Sequence, residues 1–393
     1  MQDSPSIFTK PFWILCGSTV LFMSSFSMLL PELPSYLRAM GGEEYVGLIV
    51  GVFTLNAFFS RFFSGRIADE SGRVKVILIG TVVTALAGFS YLFATSLWLF
   101  FLIRFFHGIS TGFRPTGTTA LLSDMVPFNR RGEAMGYLGV AGNSGMALGP
   151  VFGSLIRVEF GFDALFITSG VFGILALILS LFLTETLPKP KPIQLRHFNI
   201  FKGQLFDLAS WPAAVSLLPI AFSFGIFLTI SPDFVGALGF TYRGAFNTTI
   251  VFSSVAARLI AGKASDKYGR IPVLMIGNVL MCIGMAVIGF AESTFVAILG
   301  GVIYGLSNGI NMPTIFAWAI DFAKPGKTAL ALGTMLMALE VGIGLGAVVS
   351  GFMYGDVLQN IPSTYFLGAV LGVAGIFSLI AIKKRYPDSH VGS

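Results

Sequence analysis

Charge is what this sequence has least of. Only 11% of its 393 residues are Asp, Glu, Lys or Arg, against about 25% in a soluble domain. Hydrophobic residues make up 54%, and the mean hydropathy is +0.82. A chain with so few charges cannot cover itself with a solvated surface, which excludes an ordinary soluble globular fold. Cysteine is nearly missing. Cys16 and Cys282 both fall inside apolar runs, which offers neither a disulfide framework nor a metal site. No P-loop is present, so ATP is not expected as the driving force. No nucleophile–base pair and no cluster of metal ligands stands out, so no catalytic residue, metal or cofactor is expected and an enzyme is disfavoured. The short alternating segments of a membrane β-barrel are lacking as well.

In their place stand long apolar runs. A bilayer-crossing helix needs about 20 residues. Twelve runs of that kind lie near 12–37, 46–64, 74–95, 97–122, 134–156, 163–183, 210–236, 245–262, 271–291, 294–320, 328–354 and 363–382. They predict an all-α membrane protein with twelve transmembrane helices. The first run is too long for a signal-peptide core and reads as the first span. The net charge of +6 could suggest nucleic acid, but its placement does not. With the N-terminus inside, eighteen of the 25 Lys and Arg residues fall on the cytoplasmic side, while the outer loops hold only Arg38, Arg157 and Arg243. This positive-inside bias predicts a multi-pass protein with both termini in the cytoplasm, whose surroundings are lipid and not nucleic acid.

The longest polar break, "TETLPKPKPIQLRHFNIFKGQLFD" at 184–207, is rich in Pro and basic residues. It reads as a cytoplasmic linker, 185–208, between domains 1–184 and 209–393, with six runs on each side. Its "HFNIFKGQLF" part could lie on the membrane surface as a short amphipathic helix. The two halves repeat each other. Adding 197 takes Arg61 to Arg258, Gly65 to Gly262, Asp69 to Asp266, Gly72 to Gly269 and Arg73 to Arg270. The same shift takes Gly108 to Gly305, Gly112 to Gly309, Asp124 to Asp321, Gly145 to Gly342 and Gly149 to Gly346. "LPELP" at 30–34 faces "SPDFV" at 231–235 with a shift of 201. Parallel six-helix halves are a known transporter plan.

The charged turns carry a specific likeness. "GRIADESGRVK" at 65–75 resembles the loop 2–3 signature of the major facilitator superfamily. "RFFHGISTG" at 104–112 resembles its fourth-helix motif, with His107 where Gln is usual, and "GNSGMALGPVFG" at 142–153 resembles the fifth-helix signature of its antiporters. With "LLPELPSYL" early in the chain, the sequence looks most like the twelve-helix drug:proton antiporter branch. That branch often has an acid near the position of Ser27, and here the acid is Glu32, about a turn later. The resemblance implies two pseudo-symmetric six-helix bundles and a monomer in a prokaryotic inner membrane. It also implies a small-molecule substrate, and the proton as coupling ion. It further implies that the packing of Gly145, Gly149 and Pro150 seals an outer gate.

The residues themselves suggest further roles. Asp69, Arg73, Asp124 and Arg131 could form a latch on the inner face, echoed by Asp266, Gly269, Arg270 and Asp321, with Gly65 and Gly72 bending the chain. Basic loops also follow from topology alone, but topology does not require the repeated acids. Asp69 and Asp266 could accept from amides at a neighbouring helix N-terminus. Ionisable residues inside spans are costly and functional by default. Candidates are Glu32, Arg104, Arg114, Asp233 and Glu340, with His107 about 60° from Arg104 on the same helix. Glu32 and Asp233 either serve substrate or proton, or reach water at helix ends. Arg104 either works in the motif or forms a structural ion pair. Arg114 either anchors a substrate anion or pairs with Glu340. His107 either titrates or packs. Asn143, Tyr304, Asn308 and Asn311 are candidate cavity residues. Two functions compete: proton-driven export of an amphipathic molecule, and transport of an anionic metabolite such as a siderophore, sugar derivative or organic acid.

Overall fold

The computed structural model describes residues 7–127, 130–194, 197, 206–323 and 328–385. Among these there is no strand. The helices are α1 (Lys10–Ser27), α2 (Leu33–Arg38), α3 (Val46–Ser71), α4 (Arg73–Ser90), α5 (Leu97–Met125) and α6 (Arg131–Leu181). They continue with α7 (Trp211–Ala237), α8 (Gly244–Tyr268), α9 (Arg270–Gly289), α10 (Thr294–Phe322), α11 (Thr328–Tyr354) and α12 (Ile361–Arg385). The expected surface helix in the linker lies outside the described residues, apart from His197 and Phe206.

Twelve apolar runs become eleven long helices because α6 joins two of them. Its 51 residues would extend about 75 Å as one rod, far more than a bilayer core. Gly161, at φ 87, breaks it into two arms. Among the described residues, eight helical stretches are long and apolar enough to cross a membrane, or nine if the two arms of α8, bent by 44°, count as one span. Helix α5 is not among them, since it carries Arg104, Arg114 and Asp124 within its length. Large apolar side chains such as Leu86, Trp98, Leu181, Phe252 and Phe377 stand exposed, as lipid-facing helices require.

Local chemistry sets the helix ends. Ser96 caps α5 by accepting from the Leu99 amide, and Ser293, 197 residues on, caps α10 by accepting from Val296. The charged stretch 65–75 is not an open loop. Helix α3 runs through it to Ser71, and α4 begins at Arg73. A single residue, Gly72 at φ 122, makes the reversal, and Gly269 at φ 90 does the same between α8 and α9. A side chain at such a φ would be strained.

The chain divides into two compact units: Met1–Glu32 with Leu55–Gly203, and Leu33–Thr54 with Gln204–Ser393. In chain order 33–54 stands with the first half, but by its contacts it groups with the second unit. There Gly47 and Gly51 lie against Ala347, Val348 and Gly351 of α11.

In unit 1, α1 packs on α6 through Gly145, Gly149 and Gly153, where a Cβ would overlap Val20, Ser24, Ser27 or Met28. Unit 2 repeats this: Gly342 and Gly346 of α11 press on Leu218, Ala221 and Phe222 of α7. Gly112 of α5 meets Ala57 and Ser60, and Gly309 of α10 meets Ser254 and Ala257, the same positions displaced by 197. Small residues bring backbones together where no hydrophobic drive exists between helices in lipid.

Candidate functional site

The two turns build the same ion cluster. In unit 1, Arg73 Nε donates to Asp124 Oδ2 at 3.1 Å, and its Nη1 lies 3.4 Å from Asp69. In unit 2, Arg270 Nε donates to Asp321 Oδ2 at 2.9 Å and its Nη1 bonds Asp266. Each exposed pair contributes only about 0–1 kcal/mol by itself. Arg131 Nε donates to the Ser123 carbonyl at 2.9 Å. Gly65 and Gly262 have open space around the position of a Cβ.

Asp69 does not take the amides of α4. Glu185 does, accepting from the backbone N–H of Arg73 and of Val74, each at 3.0 Å. Thr186 donates to Asp124 at 2.7 Å, and Lys191 N–H to the Glu70 carbonyl at 2.9 Å. His197 Nδ1 accepts from the Gln194 amide at 2.9 Å, while its Nε2 faces Glu70 at 3.3 Å. The start of the linker is thus strapped onto the turn of unit 1. Sequence reasoning missed Glu185. The signal available was an acid just beyond the sixth apolar run, beside a turn that lacks a capping side chain.

Unit 1 buries two arginines in its spans. Arg104 and His107 meet at the Tyr91 hydroxyl, which lies 3.3 Å from His107 Nδ1, and the imidazole packs edge-on to Phe26. Arg114 is 1% exposed. Its Nη1 donates to Thr81 and, at 3.1 Å, to Ser180, and its Nη2 donates to Ser18 at 2.8 Å. Each of those hydroxyls in turn donates to a helix carbonyl: Thr81 to Ile77, Ser180 to Ala176 and Ser18 to Leu15. The charge is therefore solvated by dipoles of α1, α4 and α6 rather than by a carboxylate. The Phe22 ring, 4.7 Å away, adds a cation–π contact. Asn143 is half-buried on α6.

The Pro-acid positions are also buried. Glu32, 3% exposed, accepts from the Ser154 hydroxyl at 2.6 Å and lies 3.6 Å from Arg157. Asp233, 7% exposed, receives Arg38 on both oxygens at 2.7 and 2.5 Å, with Arg243 at 4.0 Å. Arg38 also donates from Nε to Asp356 at 2.7 Å. Burial opposes the charge of Arg38, but the Asp233 and Asp356 carboxylates outweigh it and raise its pKa above the ordinary value. The three arginines assigned to outer loops all face these two acids. Neither acid simply reaches water.

In unit 2, Tyr304 is buried against Phe227, with its hydroxyl 3.4 Å from Ser223 Oγ. Asn308 donates to the Tyr304 carbonyl at 3.4 Å and Asn311 to Ser307 at 3.2 Å. Glu340 is 7% exposed on α11. Pro150 lies within α6 between the packing glycines. No group of three metal-ligating side chains occurs among the described residues.

Two units of one plan, apolar helices and mirrored ion clusters define a helical membrane protein of the transport class. The chain belongs to the major facilitator superfamily: the family profile matches residues 15–257 and 244–392. That is a class of transporters, not of enzymes. Quinolone resistance protein NorA of Staphylococcus aureus is 28% identical over 221 residues, 55% of this chain and 56% of NorA. The match thus spans about half the length of that relative. An uncharacterized MFS-type transporter of Methanocaldococcus jannaschii is 25% identical over 389 residues, 95% of this chain and 97% of the relative. The human organic anion transporter MFSD10 superposes with a TM-score of 0.74 at 19% identity, covering 94% of this chain and 98% of its own. The peptide transporter POT in complex with alafosfalin gives 0.78 at 13%, covering 99% and 98%. At these identities the likeness is one of fold.

Proposed function

We propose that the protein is a proton-coupled secondary transporter that exports an amphipathic small molecule by alternating access. It works as a monomer in the cytoplasmic membrane of a prokaryote, with both termini inside. The observation that carries this reading is the burial of Glu32, Asp233 and Glu340. Buried carboxylates in spanning bundles are retained for ions, protons or substrate. Protonation of Glu32 or Glu340 would compete with substrate, and that competition couples the two fluxes. The resemblance to a quinolone resistance protein supports the export of an amphipathic compound.

A second reading, transport of an anionic metabolite, is favoured by Arg114, whose hydrogen bonds reach only hydroxyls. A substrate carboxylate or phosphate would be the missing counter-charge.

Proteoliposomes with an imposed pH gradient and an internal pH dye separate the two. Proton movement opposite to a cationic or neutral amphiphile supports export, and Glu340→Gln is then expected to uncouple it. Unaltered proton-coupled turnover in Glu340→Gln removes that residue from the mechanism. Proton movement with organic anions alone moves the assignment to Arg104 and Arg114.

A further inference from the structure

Asp233 is held differently from its counterpart Glu32. Glu32 meets a hydroxyl and stands beside Arg157 beyond hydrogen-bond distance. Asp233 is chelated: both oxygens lie on the two terminal nitrogens of Arg38. That geometry occupies one lone pair on each carboxylate oxygen, on the side facing Arg38, where a proton or an organic cation would otherwise bind. Arg38 is itself steered by a second acid, Asp356, on its remaining Nε. Asp356 follows Gly355, and both adopt left-handed backbone, φ 59 and φ 55. For a residue other than glycine this conformation is uncommon, and here it presents the carboxylate to Arg38. Arg243 faces Asp233 from the start of α8. The cluster therefore balances two carboxylates against two guanidiniums. Without Arg38 it carries one net negative charge beside a side chain that is only 6% exposed.

We propose that Arg38 is a tethered occupant of the Asp233 carboxylate: its guanidinium fills the place that a proton or organic cation takes during the cycle, so Arg38 must leave before Asp233 is loaded. An arginine does not surrender its proton, so the exchange is a displacement and not a proton transfer between the two. The contact is autoinhibitory, and the partial exposure of Arg38 and Asp356, 22% and 26%, leaves the side chain a way out toward solvent. The inference rests on the assignment of Asp233 to substrate or proton handling.

The test is equilibrium dialysis of labelled tetraphenylphosphonium against the purified full chain, with tetraphenylborate as a probe of the same shape and opposite charge. Arg38→Ala is expected to tighten the cation about tenfold, as when a competitor present about nine-tenths of the time is removed. Tetraphenylborate should gain nothing, and Arg38→Ala with Asp233→Asn should lose the gain. Asp356→Asn loosens Arg38 without touching Asp233, and Asn tolerates the left-handed backbone. It should shift cation affinity the same way by less, which keeps the test decisive if Arg38→Ala does not fold. Unchanged or weaker cation binding in the folded variants makes Arg38 a brace and overturns the proposal. So does an equal gain for both probes. Export is read separately in liposomes: a wild-type protein that moves no solute defeats the transport reading, while the dialysis still decides whether Arg38 masks Asp233.

Discussion

The two units keep the same turn and diverge in the core. Arg73 and Arg270 reach Asp124 and Asp321 in the same geometry, at 3.1 and 2.9 Å. Between α5 and α10, however, the same 197-residue shift takes Arg104 to Gly301, His107 to Tyr304 and Arg114 to Asn311. The shared parts are backbone reversals, close helix approaches and short ion pairs, which depend on geometry common to both units. The divergent parts are buried polar groups, where the units are free to differ in charge. The difference teaches where to look: positions that obey the repeat hold the fold, and those that break it are candidates for chemistry.

The largest effects should fall on the shared packing. Gly149→Val and Gly346→Val each force a branched side chain into α1 or α7, at a cost of about 3 kcal/mol or more. Size-exclusion profiles of fluorescent fusions should show both losing the monodisperse peak; a normal peak from either breaks the equivalence. Next comes the divergent pair. Arg114→Ala removes three hydrogen bonds and leaves a void, and is expected to cost about 2–3 kcal/mol. Asn311→Ala loses one bond to Ser307, about 1 kcal/mol. Thermal melting in detergent should rank them so, and equal shifts would deny Arg114 its special place. Glu185→Gln should destabilise the protein modestly, by about 1 kcal/mol, through loss of a charged cap on α4, read as a slightly lower melting temperature. Unit 2 offers no equivalent, since no carboxylate takes the Arg270 amide among the described residues. The smallest effect belongs to Gly65→Ala and Gly262→Ala. Both sites are open and helical, so a change within about 1 kcal/mol, in the stabilising direction, is expected on melting.

Much of the fold was legible in the sequence because the repeat is a property of spacing. The offset of 197 anticipated the two ion clusters, the two glycine seams and the two reversals. The division at 33–54 was not legible, because it follows contacts far apart in the chain. Glu185 was hidden for a related reason: nothing in "TETLPKP" tells which helix terminus lies beside it. Ser18, Thr81 and Ser180 occupy ordinary helical positions, and only packing brings three hydroxyls to one guanidinium. Arg38 could be counted as a loop charge, but its partner, nearly 200 residues away in sequence, could not be named.

The hydroxyl cage of Arg114 has an electrical consequence. An ion pair such as Arg38–Asp233 moves through a membrane field as a dipole and does little net work. Arg114 is a monopole bonded only to neutral groups, so it feels the full transmembrane voltage. Carrying one elementary charge across the whole field is worth about 2.3 kcal/mol per 100 mV. A conformational step that moves Arg114 through a tenth of that field gains or loses about 0.2 kcal/mol per 100 mV by the same relation. The difference in voltage dependence of turnover between the wild type and Arg114→Gln, in liposomes clamped at different potassium diffusion potentials, would therefore report how far this charge travels.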